Sequence, residues 1–171
     1  MIVRPERPED RTASIQVERE AFGQPLEANI VEAVRDEPGS FALVAEDGGA
    51  VIGHVQMSRA WVGTDEVLAL GPIAVTPDRQ GVGIGAALVA AALEEARRRD
   101  EAAVILMGSP DYYGPLGFQP AAALGLANPF AGAHEEGFVI EERDFQVAVL
   151  DPQRQRAARL TGEVRWHPAF G

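Results

Sequence analysis

Leu70-Gly71-Pro72-Ile73-Ala74-Val75-Thr76-Pro77-Asp78-Arg79-Gln80-Gly81-Val82-Gly83-Ile84-Gly85-Ala86-Ala87-Leu88 carries the fold in outline. Its first part, with Leu68 and Ala69 before it, is an apolar run that reads as a buried central strand over 68–75. Thr76-Pro77-Asp78 stops that strand. Three glycines at every second position then open a long amphipathic helix over 83–99. Its apolar stripe is Ile84, Leu88, Ala91, Ala92, Leu93 and Ala96, and its charged end is Arg97-Arg98-Arg99. Backbone N–H groups at such a helix start have no partner within the helix and favour an anion. Gly81, Gly83 and Gly85 remove the side chains that would keep a phosphate away. The stretch therefore reads as a strand, a pyrophosphate cradle and a helix.

Outward from this centre the pattern is mixed. A short strand at 2–4 precedes a helix over 8–22. Leu26, Ile30 and Val34 mark a second helix that ends before Pro38-Gly39. Strands over 41–46 and 51–58 flank Asp47-Gly48-Gly49, a hairpin signal. Residues 102–107 form another buried strand, and 109–116 a short broken helix or turn. Phe118 and the run 145–150 suggest two late strands, 119–137 is loop-like, and 162–166 holds a final short strand. The strand–loop–helix–strand unit implies a parallel pair, and the hairpin an antiparallel part. No internal repeat and no linker composition divides the chain.

Composition narrows the chemistry. The chain has 171 residues, about one domain's worth. Fifteen basic residues stand against 26 acidic ones, a formal charge of −11. All the basic residues are Arg, and Lys and Cys are both absent. Without Lys there is no Walker A loop, Schiff-base chemistry or kinase strand Lys. Without Cys there is no disulfide, thiolate nucleophile or Cys-ligated zinc. His54, His134 and His167 do not fall at ligand spacing, so no metal is expected, His134-Glu135-Glu136 included. The start, Met1-Ile2-Val3-Arg4-Pro5, lacks the pattern of a signal peptide. No apolar run reaches the roughly 18 residues of a membrane span. The acidic balance disfavours nucleic acid and anionic membranes, and a cytoplasmic location is expected.

Gln80-Gly81-Val82-Gly83-Ile84-Gly85 matches the pattern Q/R-x-x-G-x-G/A. Tyr113-Gly114-Pro115-Leu116-Gly117-Phe118 follows at the spacing of a second hallmark, Tyr-x-x-hydrophobic-Gly-Phe. Together they resemble the GNAT superfamily of acyl-CoA-dependent N-acetyltransferases, and the likeness runs to about residue 150. It implies an α+β fold whose mixed, mostly antiparallel sheet is flanked by helices and splayed open between the strands at 68–75 and 102–107. It also implies one domain over 1–171, with a core of 1–150 and an extension of 151–171. Acetyl-CoA is the implied co-substrate. Backbone of Ile73, Ala74 and Val75 would pair with its pantetheine arm. Backbone N–H groups of Gln80, Gly81, Val82, Gly83, Ile84, Gly85 and Ala86 would hold the pyrophosphate. Tyr113 takes the position of the family's general acid, with Tyr112 its rival by one residue. Gly108-Ser109-Pro110-Asp111 is shorter than the usual family segment, and Ser109 could supply a contact there.

The implied acceptor is a small-molecule or peptide amine, and a homodimer is possible by analogy. An alkylammonium must lose a proton before it attacks. Glu18, Glu20, His54, Asp65 and Glu66 are the base candidates, with no choice among them. Asn128 to Phe138 reads as a substrate-side loop, and Trp61 and Trp166 as pocket lining or core. The alternative is an acyl-CoA-binding sensor that kept the cradle and lost turnover.

Overall fold

In the computed structural model, which describes residues 1–135, 138–150, 160 and 162–171, the strand–loop–helix unit is in place. Among the described residues the strands are β1 (Ile2–Pro5), β2 (Phe41–Asp47), β3 (Ala50–Val62), β4 (Asp65–Val75), β5 (Ala103–Met107), β6 (Gln119–Pro120), β7 (His134–Glu135), β8 (Phe138–Val139), β9 (Phe145–Val149) and β10 (Val164–Arg165). The helices are α1 (Arg11–Phe22), α2 (Leu26–Val34), α3 (Ile84–Arg98) and the single-turn α4 (Pro110–Tyr113). Strands hydrogen-bond in the order β1-β2-β3-β4-β5-β9-β6, with β10 on β3 and a separate β7-β8 pair. The pairs β1/β2, β2/β3, β5/β9, β6/β9 and β3/β10 are antiparallel. β4 and β5 are parallel, at Leu68↔Val104 and Ala69↔Ile105. The fold is thus the expected mixed, mostly antiparallel sheet with helices.

The chain divides into two compact units. The first comprises Met1–Arg59, Leu70–Glu95 and His167–Gly171, and the second Ala60–Ala69 and Ala96–Trp166. In the first, the β2–β3 hairpin forms at Asp47-Gly48-Gly49 as expected. Ile15 of α1 packs with Ala28 and Val31 of α2. The entry to α1 is fixed by Asp10, whose carboxylate accepts from the Arg7 N–H at 2.8 Å and from Arg4 at 2.6 and 2.9 Å. Arg4 also donates to Glu46 of β2 at 2.7 Å, tying β1, β2 and the start of α1 together. In the second, Phe145, Ile105, Val147, Leu126 and Val164 are nearly or fully buried in one cluster, with Trp166 packed against it.

Several boundaries differ from expectation. β3 runs to Val62, and β4 begins at Asp65. The extra length of β3 is where β10 pairs, at Val164↔Val62 and Arg165↔Trp61. A short strand so far along the chain had no local signal for its partner. On α3 the buried set is Ile84, Leu88, Val89, Ala92, Leu93 and Ala96. Val89 replaces Ala91, which is only half-buried. The segment 119–137 contains β6, a single turn at Ala121–Leu124, and β7. Glu136 and most of the stretch 151–161 lie outside the described residues. No helix among those described is long and apolar enough to cross a membrane.

Candidate functional site

The cradle residues all belong to the first unit. Strand β4 ends where the Thr76 N–H donates to the Ile52 carbonyl of β3 at 3.0 Å. One short turn, Pro77–Arg79, follows. Arg79 turns away onto Asp47, which also receives the amino group of Met1 at 3.2 Å. The Gln80 side chain folds back to donate to the Val75 carbonyl at 3.0 Å. Both long polar side chains of the loop are thereby spent on its own framework.

What remains is backbone. Gly81 and Gly83 sit at φ +75° and +90°, the left-handed region that an L side chain enters at a cost of about 1–2 kcal/mol. A Cβ on either would meet nothing within 4 Å, so it is conformation and not crowding that calls for glycine. Ala87 is the first residue to close a helical turn, its N–H donating to the Gly83 carbonyl at 3.0 Å. The N–H groups of Ile84, Gly85 and Ala86 precede that bond and have no carbonyl to meet within α3. They lie at the positive end of a 15-residue helix. Val82 is 72% exposed, so the tip of the loop is open. The loop therefore presents backbone N–H groups at a helix start, with Arg79 and Gln80 engaged elsewhere.

α3 lies tight on the sheet because of Gly53. A Cβ there would stand 3.0 Å from Leu88 Cδ1, and 3.3 Å from both Ala45 Cβ and the Ala74 carbonyl oxygen. A lone glycine inside a strand often marks such a close approach, and the sequence held that signal. Of Ile73, Ala74 and Val75, only Ala74 is fully buried. Among the described residues, the parallel ladder of β4 with β5 has only the two rungs at Leu68 and Ala69.

Tyr113 belongs to the second unit. It ends α4, whose N-cap is Ser109: the hydroxyl accepts from the Asp111 N–H at 3.3 Å. That hydroxyl is therefore engaged locally. The Tyr113 ring covers Gly108 in the space a side chain would fill. It meets Phe118 edge-on at 5.7 Å and Tyr112 at 4.9 Å. Tyr113 is 9% exposed and Tyr112 48%. Burial, with a smaller contribution from Tyr112, pushes the Tyr113 phenol up to about 12.

The five base candidates separate sharply. Glu20 is exposed and held by Gln16 at 2.8 Å. Glu66 is exposed, and Asp65 is half-buried at the start of β4. Glu18 and His54, 36 residues apart, are both fully buried and bonded to one another, Nδ1 to Oε1, at 2.6 Å. Burial raises the Glu18 carboxyl above its ordinary range against the opposing pull of His54. The sequence offered each residue separately, and no local pattern predicts the pairing. Trp166 packs against the second unit's core, beside Phe145 and Phe130. Trp61 receives Arg165 over its ring at 5.7 Å. Among the described residues, no three His, Asp or Glu side chains form a metal-binding group.

Residues 7–118 match the profile of the "Acetyltransferase (GNAT) family". The chain is 30% identical to the uncharacterized N-acetyltransferase YhbS of Escherichia coli K12, over 99% of this chain and 98% of that one. It is 31% identical to YjhQ of the same organism, over 63% of each chain. Among solved structures, YhbS from E. coli in complex with CoA superposes with a TM-score of 0.81, covering 99% of this chain and 91% of that one at 30% identity. A Brucella melitensis GNAT family acetyltransferase in complex with acetyl-CoA superposes with a TM-score of 0.75, covering 99% and 97% at 28% identity.

Proposed function

The chain belongs to the GNAT acetyltransferase family, and from that premise we propose that it transfers the acetyl group of acetyl-CoA to a primary amine by direct attack within a ternary complex. The observation that carries this reading is the loop of Gln80 to Ala86. Its left-handed glycines and the free helix-start N–H groups form a diphosphate site built from backbone. The similarity to a protein solved with CoA over nearly the whole chain supports the same ligand here. The acceptor is a small-molecule or peptide amine. We take residues 1–171 as one working domain, since β3, β4 and α3 each run from one compact unit into the other.

In this reading the backbone of Ile73, Ala74 and Val75 receives the pantetheine arm, and a strand N–H there polarises the thioester carbonyl. The amine lone pair forms the C–N bond, the C–S bond breaks, and the thiolate leaves with its electron pair. Tyr113 serves this leaving sulfur as a hydrogen-bond donor. A phenol at about 12 stays protonated throughout the neutral range. Complete transfer of its proton to a thiolate of pKa ~8.5 is uphill by about 5 kcal/mol. Tyr113 is thus the proposed general acid, its protonated phenol donating to the charge that develops on sulfur.

The test is thiol release from acetyl-CoA across a panel of primary amines and peptides. Amine-dependent thiol release above the background without protein supports the reading. Saturable stabilisation by acetyl-CoA with no turnover refutes it in favour of an acyl-CoA sensor.

A further inference from the structure

A row of buried polar side chains lies beside β4 and serves none of the roles above. Side chains alternate along β3, so His54, Gln56 and Ser58 share the face opposite Gly53. All three are almost completely buried. Each keeps one polar atom without a hydrogen-bond partner among the described residues: His54 Nε2, Gln56 Oε1 and Ser58 Oγ. The amide of Gln56 is oriented by two carbonyls, Phe41 O at 3.2 Å and Met57 O at 2.9 Å, so its free end is the acceptor oxygen. Buried polar groups without partners are costly, and each calls for an explanation, whether an ordered water, a bound group or a catalytic role.

Around His54 several ionisable side chains converge. Glu18 of α1 holds Nδ1 at 2.6 Å. Glu6, between β1 and α1, brings Oε1 to 3.7 Å from Nε2, and Arg35, just after α2, stands 3.6 Å from that same oxygen. Glu27 of α2 adds its charge to the field at Glu18. The Glu18 and Glu6 carboxyl groups thus converge on the two ring nitrogens of one imidazole, with the Arg35 guanidinium beside Glu6. Glu18 Oε2 and Glu6 Oε1 are also without hydrogen-bond partners among the described residues. β3, which carries His54, is the sheet neighbour of β4, the proposed thioester strand.

We propose that Glu18 and His54 form the proton-accepting pair of the acetyl transfer, with His54 taking the proton at Nε2 and Glu18 orienting the ring and holding the resulting charge. The inference rests on the acetyltransferase reading. The ammonium form of the acceptor gives one proton to the pair by way of the face shared with Gln56 and Ser58. The freed amine attacks the acetyl carbon, and the C–S bond breaks. The second nitrogen proton ends on sulfur, and the first returns from His54 to solvent after the products leave.

The test uses the full chain, acetyl-CoA and the primary alkylamine that wild type turns over best. His54→Gln is expected to lower kcat at pH 7 by about 100-fold. Acetyl-CoA should stabilise it against heat as it does wild type. Because an amine of pKa ~10.4 supplies about ten times more free base per pH unit, the deficit should shrink to near parity by pH 9. Glu18→Gln, which keeps the contact and loses the charge, should move the acidic limb of the wild-type kcat profile to lower pH. A His54→Gln deficit that is equal at every pH, or no deficit at all, overturns the pair. If His54→Gln does not fold, an unmoved limb in Glu18→Gln overturns it. Wild type that binds acetyl-CoA but acetylates no amine refutes the acetyltransferase reading itself, which separates the two failures.

Discussion

Replacing Gly83 by Ala isolates backbone conformation from every other feature of the cradle. The residue sits at φ +90°, and a Cβ there meets no atom within 4 Å. No clash complicates the substitution, so its whole effect is the cost of holding an L residue in left-handed space, about 1–2 kcal/mol. That cost has two possible destinations. If the loop keeps its shape, the folded state loses that amount of stability and acetyl-CoA binds as before. If the loop relaxes, the free protein is spared and the cost returns on binding, where 1–2 kcal/mol is about a 5- to 30-fold rise in Kd. The tip of the loop is open, with Val82 72% exposed. The second outcome is therefore expected. Gly83→Asn should lose less, because Asn tolerates the left-handed region better than Ala does. Calorimetric titration with acetyl-CoA measures the affinity, and thermal melting without ligand measures the stability. Wild-type affinity together with a wild-type melt in Gly83→Ala would refute the reasoning, since the cost must appear in one place or the other.

Three further outcomes follow from local geometry. Asp10, held by Arg4 first and also by the Arg7 N–H, has its carboxyl depressed from its ordinary value of 3.8 to about 2. Its stabilising contribution is therefore complete above about pH 4 and fades as pH falls through 2. Asp10→Asn should flatten the acid limb of a melting-temperature profile between those values, whereas an unchanged limb refutes the assignment. Gly53→Val should destabilise the chain by about 1–3 kcal/mol in denaturant titration and disturb the seating of α3, because its added carbons meet Leu88, Ala45 and the Ala74 carbonyl. A neutral result would mean that α3 is not tightly seated there. Tyr113→Phe keeps the ring over Gly108 and removes only the hydroxyl. A hydrogen bond to a charged group is worth about 1.5–3 kcal/mol, so kcat should fall about 10- to 150-fold with KM for acetyl-CoA unchanged. With the phenol at about 12, wild type should show no Tyr113 ionisation below pH 10, and an earlier tyrosine limb refutes that burial.

Much of this molecule was legible along the chain because the relevant physics is local. A loop that must visit left-handed space announces itself as Gly81 and Gly83. A helix that packs on one side announces itself as a 3.6-residue stripe, and a two-residue turn as Asp47-Gly48-Gly49. The absence of Lys pointed the expected anion site to backbone N–H groups and a helix end. Arg79 then proved to be occupied with Asp47, which leaves the loop to its N–H groups.

Tertiary structure decided which distant residues share a low-dielectric interior. Glu18 and Glu20 are alike in sequence, but α1 buries the first and exposes the second. His54 stands on an ordinary strand until α1 places Glu18 against its ring at 2.6 Å. β10 finds β3 across about a hundred residues, and the Tyr113 phenol is pushed up only once folding buries it. Sequence settles the conformations the backbone can adopt, since those depend on each residue and its nearest neighbours. Charge states and proton affinities depend on burial and on partners many residues away, and these exist only in the folded chain.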